Sequence, residues 1–419
     1  MSSIAEDAVS PAATVQVRPA DSEYEAIAGR FRPVFARIAA GTLERERSEV
    51  AEKDAIGWLA AAGFARLRHP VSLGGERVPL STVFRLLAEL AEADPNIAHV
   101  WRNHFSFVED RLSVPLDAAA RQILDHLGRG EIVGGGWSET DNTSAADVST
   151  TVRRGADGLW RVSGVKHYST GSIYATWFTV LGLDEEGDKR IALVDAASDG
   201  VEVMDNWDGF GQRLTGSGGV RYTDVVVPEE RVLRYADRYP YQGEYYQTTM
   251  HAVLVGIGRA VLRDGIAALH ARTRSHRNGT TDDPRHDPQV LEAIGGVAGQ
   301  VFAAESAFAA SLAPIDALVE AHENGGYVPD AALPAYIAVA TAQAVIIDSV
   351  LDAATTVFDA LGASGTGRAF ALDRHWRNAR TLASHNPRIF KKRIVGDFLV
   401  NGRVPDGVGS PVAVAHTVG

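Results

Sequence analysis

Trp160-Arg161-Val162-Ser163-Gly164-Val165-Lys166-His167-Tyr168-Ser169-Thr170-Gly171 opens with alternating large and polar side chains and closes on small, hydroxyl-bearing residues. Alternation with period two marks a half-buried strand. The neighbouring sequence behaves alike. Phe178-Thr179-Val180-Leu181-Gly182-Leu183 and Ile191-Ala192-Leu193-Val194 are β-rich runs around Asp184-Glu185-Glu186-Gly187, which reads as a hairpin connection. Tyr222-Thr223-Asp224-Val225-Val226-Val227 is a further run and stops at Pro228. From Ile132 to about Leu233 the chain therefore reads as short strands separated by turns.

Both flanks are helical in pattern. Upstream, Ala26, Phe31, Val34, Phe35 and Ile38 recur at helical spacing, as do Val83, Leu86, Leu87, Leu90 and Ala91. Between these two sets, the Pro and Gly pair of His69-Pro70-Val71-Ser72-Leu73-Gly74-Gly75 mark a loop. Downstream from about Gln247, two wide apolar stripes predict helices buried in a bundle. One runs through Leu291, Ile294, Val297, Val301, Phe302, Ala304 and Phe308, the other through Ile337, Ala340, Val345, Val350, Leu351 and Val357. The polar stretch from Asn278 to Asp287 reads as a loop. We expect an unpacked leader at 1–20, a helical domain at 21–131, a β domain at 132–235 and a helical domain at 236–419.

Bulk composition narrows the function. A chain of 419 residues exceeds what one core usually spans. The net charge of −12 argues against a duplex-binding face, so no nucleic-acid partner is expected. There is no cysteine, which removes disulfides, thiolate catalysis and Cys-based metal sites. The histidines show no metal-binding spacing, and no metal is expected. No apolar run reads as a membrane span, and the N-terminus lacks a signal-peptide pattern. We expect a cytoplasmic enzyme.

The order helical domain, β domain, helical bundle leads to a family. Gly164-Val165-Lys166-His167-Tyr168-Ser169-Thr170-Gly171 resembles the G-x-K-x-W-I-T-N segment of the acyl-CoA dehydrogenase superfamily, and Tyr222 to Pro228 resembles its F-x-D-V-x-V-P strand. Pro70 to Gly75 resembles its N-terminal turn. Asp373-Arg374-His375-Trp376-Arg377-Asn378-Ala379-Arg380-Thr381 resembles D-R-F-W-R-N-x-R-T of the flavin-dependent monooxygenase branch, typified by dibenzothiophene monooxygenase. Asn206-Trp207-Asp208-Gly209-Phe210-Gly211-Gln212-Arg213 resembles that branch's D-W-x-x-x-G-x-R, with Asn206 in place of Asp. The resemblance implies an α+β, acyl-CoA dehydrogenase-like fold ending in a four-helix bundle. It also implies a homotetramer.

One position separates the branch from the dehydrogenases. Their catalytic Glu falls on Asn386, and an amide accepts no proton at neutral pH. The adjacent His385 matches a histidine that the branch places near flavin C4a. The branch's second histidine falls on Leu382. The implied reaction uses reduced flavin, FMN or FAD, from a separate reductase, and O2 as co-substrate, through an oxygen adduct at flavin C4a. Such chemistry needs a dry pocket and a hydrogen-bond donor aimed at the oxygens. His385, Thr170, Ser169 and His104 are the candidate catalytic residues. Trp137, Ser138, Thr140, Tyr168 and Trp207 are candidates for the flavin ring. Arg272, Arg274 and the turn Gly362-Ala363-Ser364-Gly365 are candidates for its phosphate.

Plainer readings stand beside these. His385 precedes Asn386-Pro387 and also suits a helix end; Ser169 and Thr170 also suit a strand, and Trp207 a core. Trp101, Arg102, His104, Phe105 and Phe107 suggest a pocket of mixed aromatic and polar character, for a small substrate that is aromatic or bears a heteroatom. The competing function is an acyl-CoA dehydrogenase or oxidase with a relocated base, for which Glu244 is the candidate.

Overall fold

The computed structural model describes residues 21–140, 147–325 and 329–408; the expected leader lies outside them. Five α-helices come first: α1 (Ser22–Ser48), α2 (Asp54–Ala61), α3 (Leu80–Ala93), α4 (Pro95–Leu112) and α5 (Ala118–Gly128). Local chemistry sets the start of α4. The Asp94 carboxylate accepts from the backbone N–H groups of Asn96 and Ile97, and Pro95 follows it. Asp94 is also paired with Arg45 of α1 at 2.8 Å. Every residue of α4 from Pro95 to Arg111 is buried. A helix enclosed on all sides is a central strut, which makes α4 the element to watch.

Among the described residues the β domain is one eight-stranded sheet. Its strands are β1 (Val133–Gly136), β2 (Thr151–Arg154), β3 (Trp160–Lys166), β4 (Trp177–Leu183), β5 (Lys189–Asp195), β6 (Val201–Val203), β7 (Val220–Val227) and β8 (Val232–Arg234). The order is β6-β7-β3-β2-β4-β5-β8, with β1 parallel to β4. The β4–β5 hairpin closes where the sequence pattern places it. The Asp184 carboxylate accepts from the N–H groups of Glu186 and Asp188 and so folds the turn.

Among the described residues five helices follow: α6 (Gln242–His270), α7 (Pro288–Gly325), α8 (Pro329–Leu361), α9 (Asp373–His385) and α10 (Arg388–Asn401). Helices α6 to α9 form the bundle and α10 lies on α8. The order of helices, sheet and helical bundle is the one expected. One feature differs from a reading by separate helical domains. Phe64, Trp101, Val255, Leu351 and Leu382 belong to one apolar core, so the first and last helical regions are fused. Gly256 makes this possible: a Cβ there would lie 2.5 Å from the Ala88 carbonyl of α3. The β domain keeps its own core around Val152, Val162, Phe178 and Tyr222.

The expectation of no span-length apolar segment needs correction. Two helical stretches, Pro288–Gly325 and Asp330–Thr366, are long and apolar enough to cross a membrane by length and composition. Their apolar residues instead pack within the bundle, with Val297, Val301, Phe308, Val350 and Val357 buried. The stripes are nonetheless not buried throughout, since Leu291, Phe302 and Val345 are exposed.

Candidate functional site

The site is built outward from α4. At 3.6 residues per turn, His99, Arg102, Asn103 and Ser106 share one face. Each reaches a different neighbour. Arg102 Nη1 lies 3.0 Å from His385 Nε2 at the end of α9. His99 Nδ1 lies 3.0 Å from Oε1 of Gln212, in the loop before β7. Asn103 Nδ2 donates to the Thr170 carbonyl at 3.0 Å. Ser106 Oγ donates to the Tyr246 hydroxyl on α6 at 2.7 Å. One helix face thus ties the bundle to the β domain. Gly135 of β1 permits the close approach, because a Cβ there would sit 2.8 Å from Asn103 Nδ2.

His385 is a neutral imidazole. Burial, and then the Arg102 guanidinium, push its pKa down to about 3. A guanidinium only donates, so Nε2 accepts and the ring hydrogen sits on Nδ1. Burial also holds His99 well below the usual histidine value, with Arg102 and His385 as further causes. Asn386 belongs to an amide network. Its Nδ2 donates to Gln247 Oε1 at 2.9 Å, and its carbonyl accepts from Gln343 Nε2 at 2.6 Å. Leu382 is part of the core.

On the β-domain side, Thr170 Oγ1 is 3.0 Å from Ser217 Oγ, which is 2.6 Å from Thr215 Oγ1. Ser169 Oγ is buried and has no hydrogen-bond partner among the described residues. Tyr168 has a left-handed backbone (φ 54°) and its exposed ring meets Trp207 edge-on at 6.1 Å. Trp207 donates its indole N–H to the Gly211 carbonyl at 3.3 Å. The Ser138 carbonyl accepts from His167 N at 2.8 Å, and Thr140 is exposed. Between them, Glu139 forms a buried ion pair with Lys166 at 2.5 Å. Burial pushes Lys166 down to about 8 even with that partner. This pair anchors the loop to β3.

The structure does not gather every candidate. His104 lies on the far side of α4 from Arg102, edge-on to Trp101 at 5.0 Å and to Phe105 at 5.4 Å. Burial brings it down to about 3. Of the expected pocket residues, only Arg102 faces the site; Trp101, Phe105 and Phe107 pack in apolar cores. The Trp137 indole donates to Thr179 Oγ1 at 3.3 Å and lies 4.4 Å from the Arg238 guanidinium. Arg272 donates to the Ala360 carbonyl at 3.1 Å, close to the turn in which Ser364 Oγ donates to Leu361 O at 2.9 Å. Gly365 is buried in that turn and Gly362 has a positive φ, while Arg274 is exposed. This second group is remote from His385. Gln247 touches Asn386, and from Gln247 to His270 α6 rises ~35 Å. Arg102 was expected only as a pocket wall, and its contact with His385 and the part played by His99 went unread; the i, i+3 and i, i+4 relation of His99 to Arg102 and Asn103 was the available signal.

Comparison with known proteins identifies the family and the fold. The acyl-CoA dehydrogenase middle domain matches residues 135–225, and the acyl-CoA dehydrogenase C-terminal domain matches residues 248–387. Together these cover more than half of the sequence. The chain belongs to the acyl-CoA dehydrogenase family. Within that family it resembles dibenzothiophene monooxygenase of Mycolicibacterium goodii, at 26% identity over 88% of the chain and 94% of that protein. It is 25% identical to a probable FMNH2-dependent monooxygenase, SfnC, of Pseudomonas putida, over 91% of the chain and 95% of that protein. The FMN-bound crystal structure of TdsC from Paenibacillus sp. A11-2 superposes with a TM-score of 0.84 at 24% identity, covering 92% of the chain and 100% of TdsC. Against the family's dehydrogenase pattern, the Asn386 side-chain amide is held by Gln247, its backbone carbonyl by Gln343, and the amide offers no base.

Proposed function

We propose that the chain is the oxygenase component of a two-component flavin-dependent monooxygenase, taking reduced FMN from a separate reductase and O2 to oxygenate a small aromatic or heteroatom-bearing substrate. One observation carries this reading: a neutral imidazole, His385, is fixed by Arg102 where the family's dehydrogenases have a carboxylate next door and this chain has Asn386.

A reduced flavin would supply the electrons and the carbon at which oxygen is activated. The residues present suit a flat ring with polar edges. Ser169 Oγ is a buried hydroxyl with capacity to spare, Thr170 and Ser217 offer a second pair, and Tyr168 with Trp207 present aromatic surface. Trp137, Ser138 and Thr140 border the same strand end. His385 can donate from Nδ1 or move a proton without bringing in a charge. The sealed face of α4 excludes water, which limits wasteful release of peroxide. Arg272, Arg274, Gly362, Ser364 and Gly365 would serve the phosphate of a flavin held by another copy of the chain, given their distance from His385 along α6.

The test is stopped-flow mixing of the protein, loaded anaerobically with reduced FMN, with O2. A transient near-ultraviolet absorbance unlike that of oxidised or reduced flavin is expected. His385→Gln should shorten its lifetime and raise the hydrogen peroxide released per flavin. If the wild-type protein oxidises the flavin in one step without a transient, the reading fails.

A second reading has one observation behind it. Glu244 is buried, and burial raises its carboxyl to about 7, the range of a general base. It lies one turn before Gln247 on α6. Bleaching of oxidised flavin by an acyl-CoA, lost in Glu244→Gln, would favour a dehydrogenase; no bleaching is expected.

A further inference from the structure

Six arginines are buried among the described residues, and five of them face carboxylates. Arg45 pairs with Asp94, Arg68 with Glu109, Arg238 with Asp110 and Arg374 with Asp264. Arg111 has Asp110, Asp117 and Asp237 as charge neighbours. Arg102 is the exception. The groups that favour its charge are the phenols of Tyr246, Tyr245 and Tyr239, and burial works against it. Its Nη1 meets His385 Nε2 at 3.0 Å and Met250 Sδ at 3.7 Å, and its Nε is buried without a partner. The residue is 8% exposed. A guanidinium without a counter-charge at that depth is disfavoured, and its fork geometry suits a planar oxyanion.

We propose that Arg102 anchors an anionic oxygen group of the substrate, such as a carboxylate, sulfinate or phenolate, and that the His385 imidazole holds the guanidinium until that group arrives. The proposal rests on the oxygenase reading of the pocket and adds the substrate class. Pairing with an anion would draw the Arg102 N–H away from His385 Nε2 and cancel the positive charge beside the ring. Substrate binding would thereby free the imidazole to take up and pass on a proton.

The test uses the full chain without flavin and three matched pairs of probes. These are benzoate with benzamide, benzenesulfinate with methyl phenyl sulfone, and 4-nitrophenolate with 4-nitroanisole. Affinity is read by calorimetry, and the nitrophenol also by its phenolate absorbance below its free pKa. At least one anion should bind about tenfold or more tightly than its neutral partner. That preference should vanish in Arg102→Gln and persist in part in Arg102→Lys. Arg102→Gln should keep or raise the thermal midpoint, whereas Arg68→Gln, which strands Glu109, should lower it.

The proposal is overturned if all three anions bind no better than their partners, if the preference survives in Arg102→Gln, or if binding occurs only at tens of millimolar and equally in both proteins. A reduced flavin is the other possible source of the anion. Weaker anaerobic binding of reduced FMN in Arg102→Gln, with no anion preference in the wild type, would assign the guanidinium to the cofactor and also overturn it. The two readings fail separately. Arg102-dependent anion binding without an oxygen-dependent transient would refute the oxygenase alone, and the reverse result would refute the anchor alone.

Discussion

His385 shows how position sets the chemistry of a side chain. An exposed histidine would titrate near 6.5, but burial and Arg102 keep this one uncharged to about 3. It has company: burial also lowers His104 and His251 to about 3, His375 to about 4, and His99 well below its ordinary value. Each resists protonation when folded and accepts a proton near 6.5 when unfolded. Their contribution to stability is therefore complete above that pH and is lost as pH falls towards the folded values. The slope is at most about 1.4 kcal/mol per pH unit for each histidine. The urea midpoint should fall steeply from pH 7 to pH 5 and change little from pH 7 to pH 8, as read by circular dichroism. A midpoint that stays level down to pH 5 would contradict the neutral burial of these groups.

At the scale of elements, the site depends on how closely α4 approaches β1. Gly135 is the tolerance at that contact. In Gly135→Ala the new Cβ would lie 2.8 Å from Asn103 Nδ2 and 3.5 Å from its Cγ, inside a buried junction. Overpacking of this kind costs about 1–3 kcal/mol, and the Asn103 bond to Thr170 should break. Denaturant titration should show the loss, and reduced-FMN affinity should fall with it; a variant of wild-type stability and affinity would show that the junction is slack. The same junction separates what the sequence disclosed from what it withheld. Strands and bundle helices were legible because burial on one or two faces imposes periods of 2 and 3.6. The β4–β5 turn was legible from its acidic and glycine residues. Helix α4 is buried all round, so its pattern does not say which face meets the site. His104 and Arg102 look alike in sequence, yet one packs on Trp101 and Phe105 while the other meets His385. The His385–Asn386 step could be placed by motif. The Arg102 and His99 contacts join residues 283 and 113 positions apart, and only the folded chain makes them.

At the scale of the whole molecule, two features ask for a second copy. The group around Arg272 and Gly362 lies ~35 Å along α6 from the residues beside His385, too far for one small cofactor to touch both within a single chain. Apolar side chains are also left uncovered on the bundle. Leu291, Phe302 and Val345 are exposed on α7 and α8, and on α10 Ile389, Phe390, Leu399 and Val400 are exposed, the last two by 71% and 81%. Scattered exposed apolar residues are ordinary, but several along adjoining helices mark an association surface. We therefore expect a homo-oligomer formed through the bundle, and a homotetramer by likeness to the family. Light scattering coupled to size-exclusion chromatography should give about four times the chain mass of 44.8 kDa. Leu399→Glu with Val400→Glu should shift the protein to smaller species, while each chain keeps its helical signal because these side chains touch no core of their own chain. If the wild-type protein runs as a monomer at micromolar concentration, the remote arginine and glycine turn lose their proposed role, and the flavin must be held by the β-domain hydroxyls and aromatic pair alone.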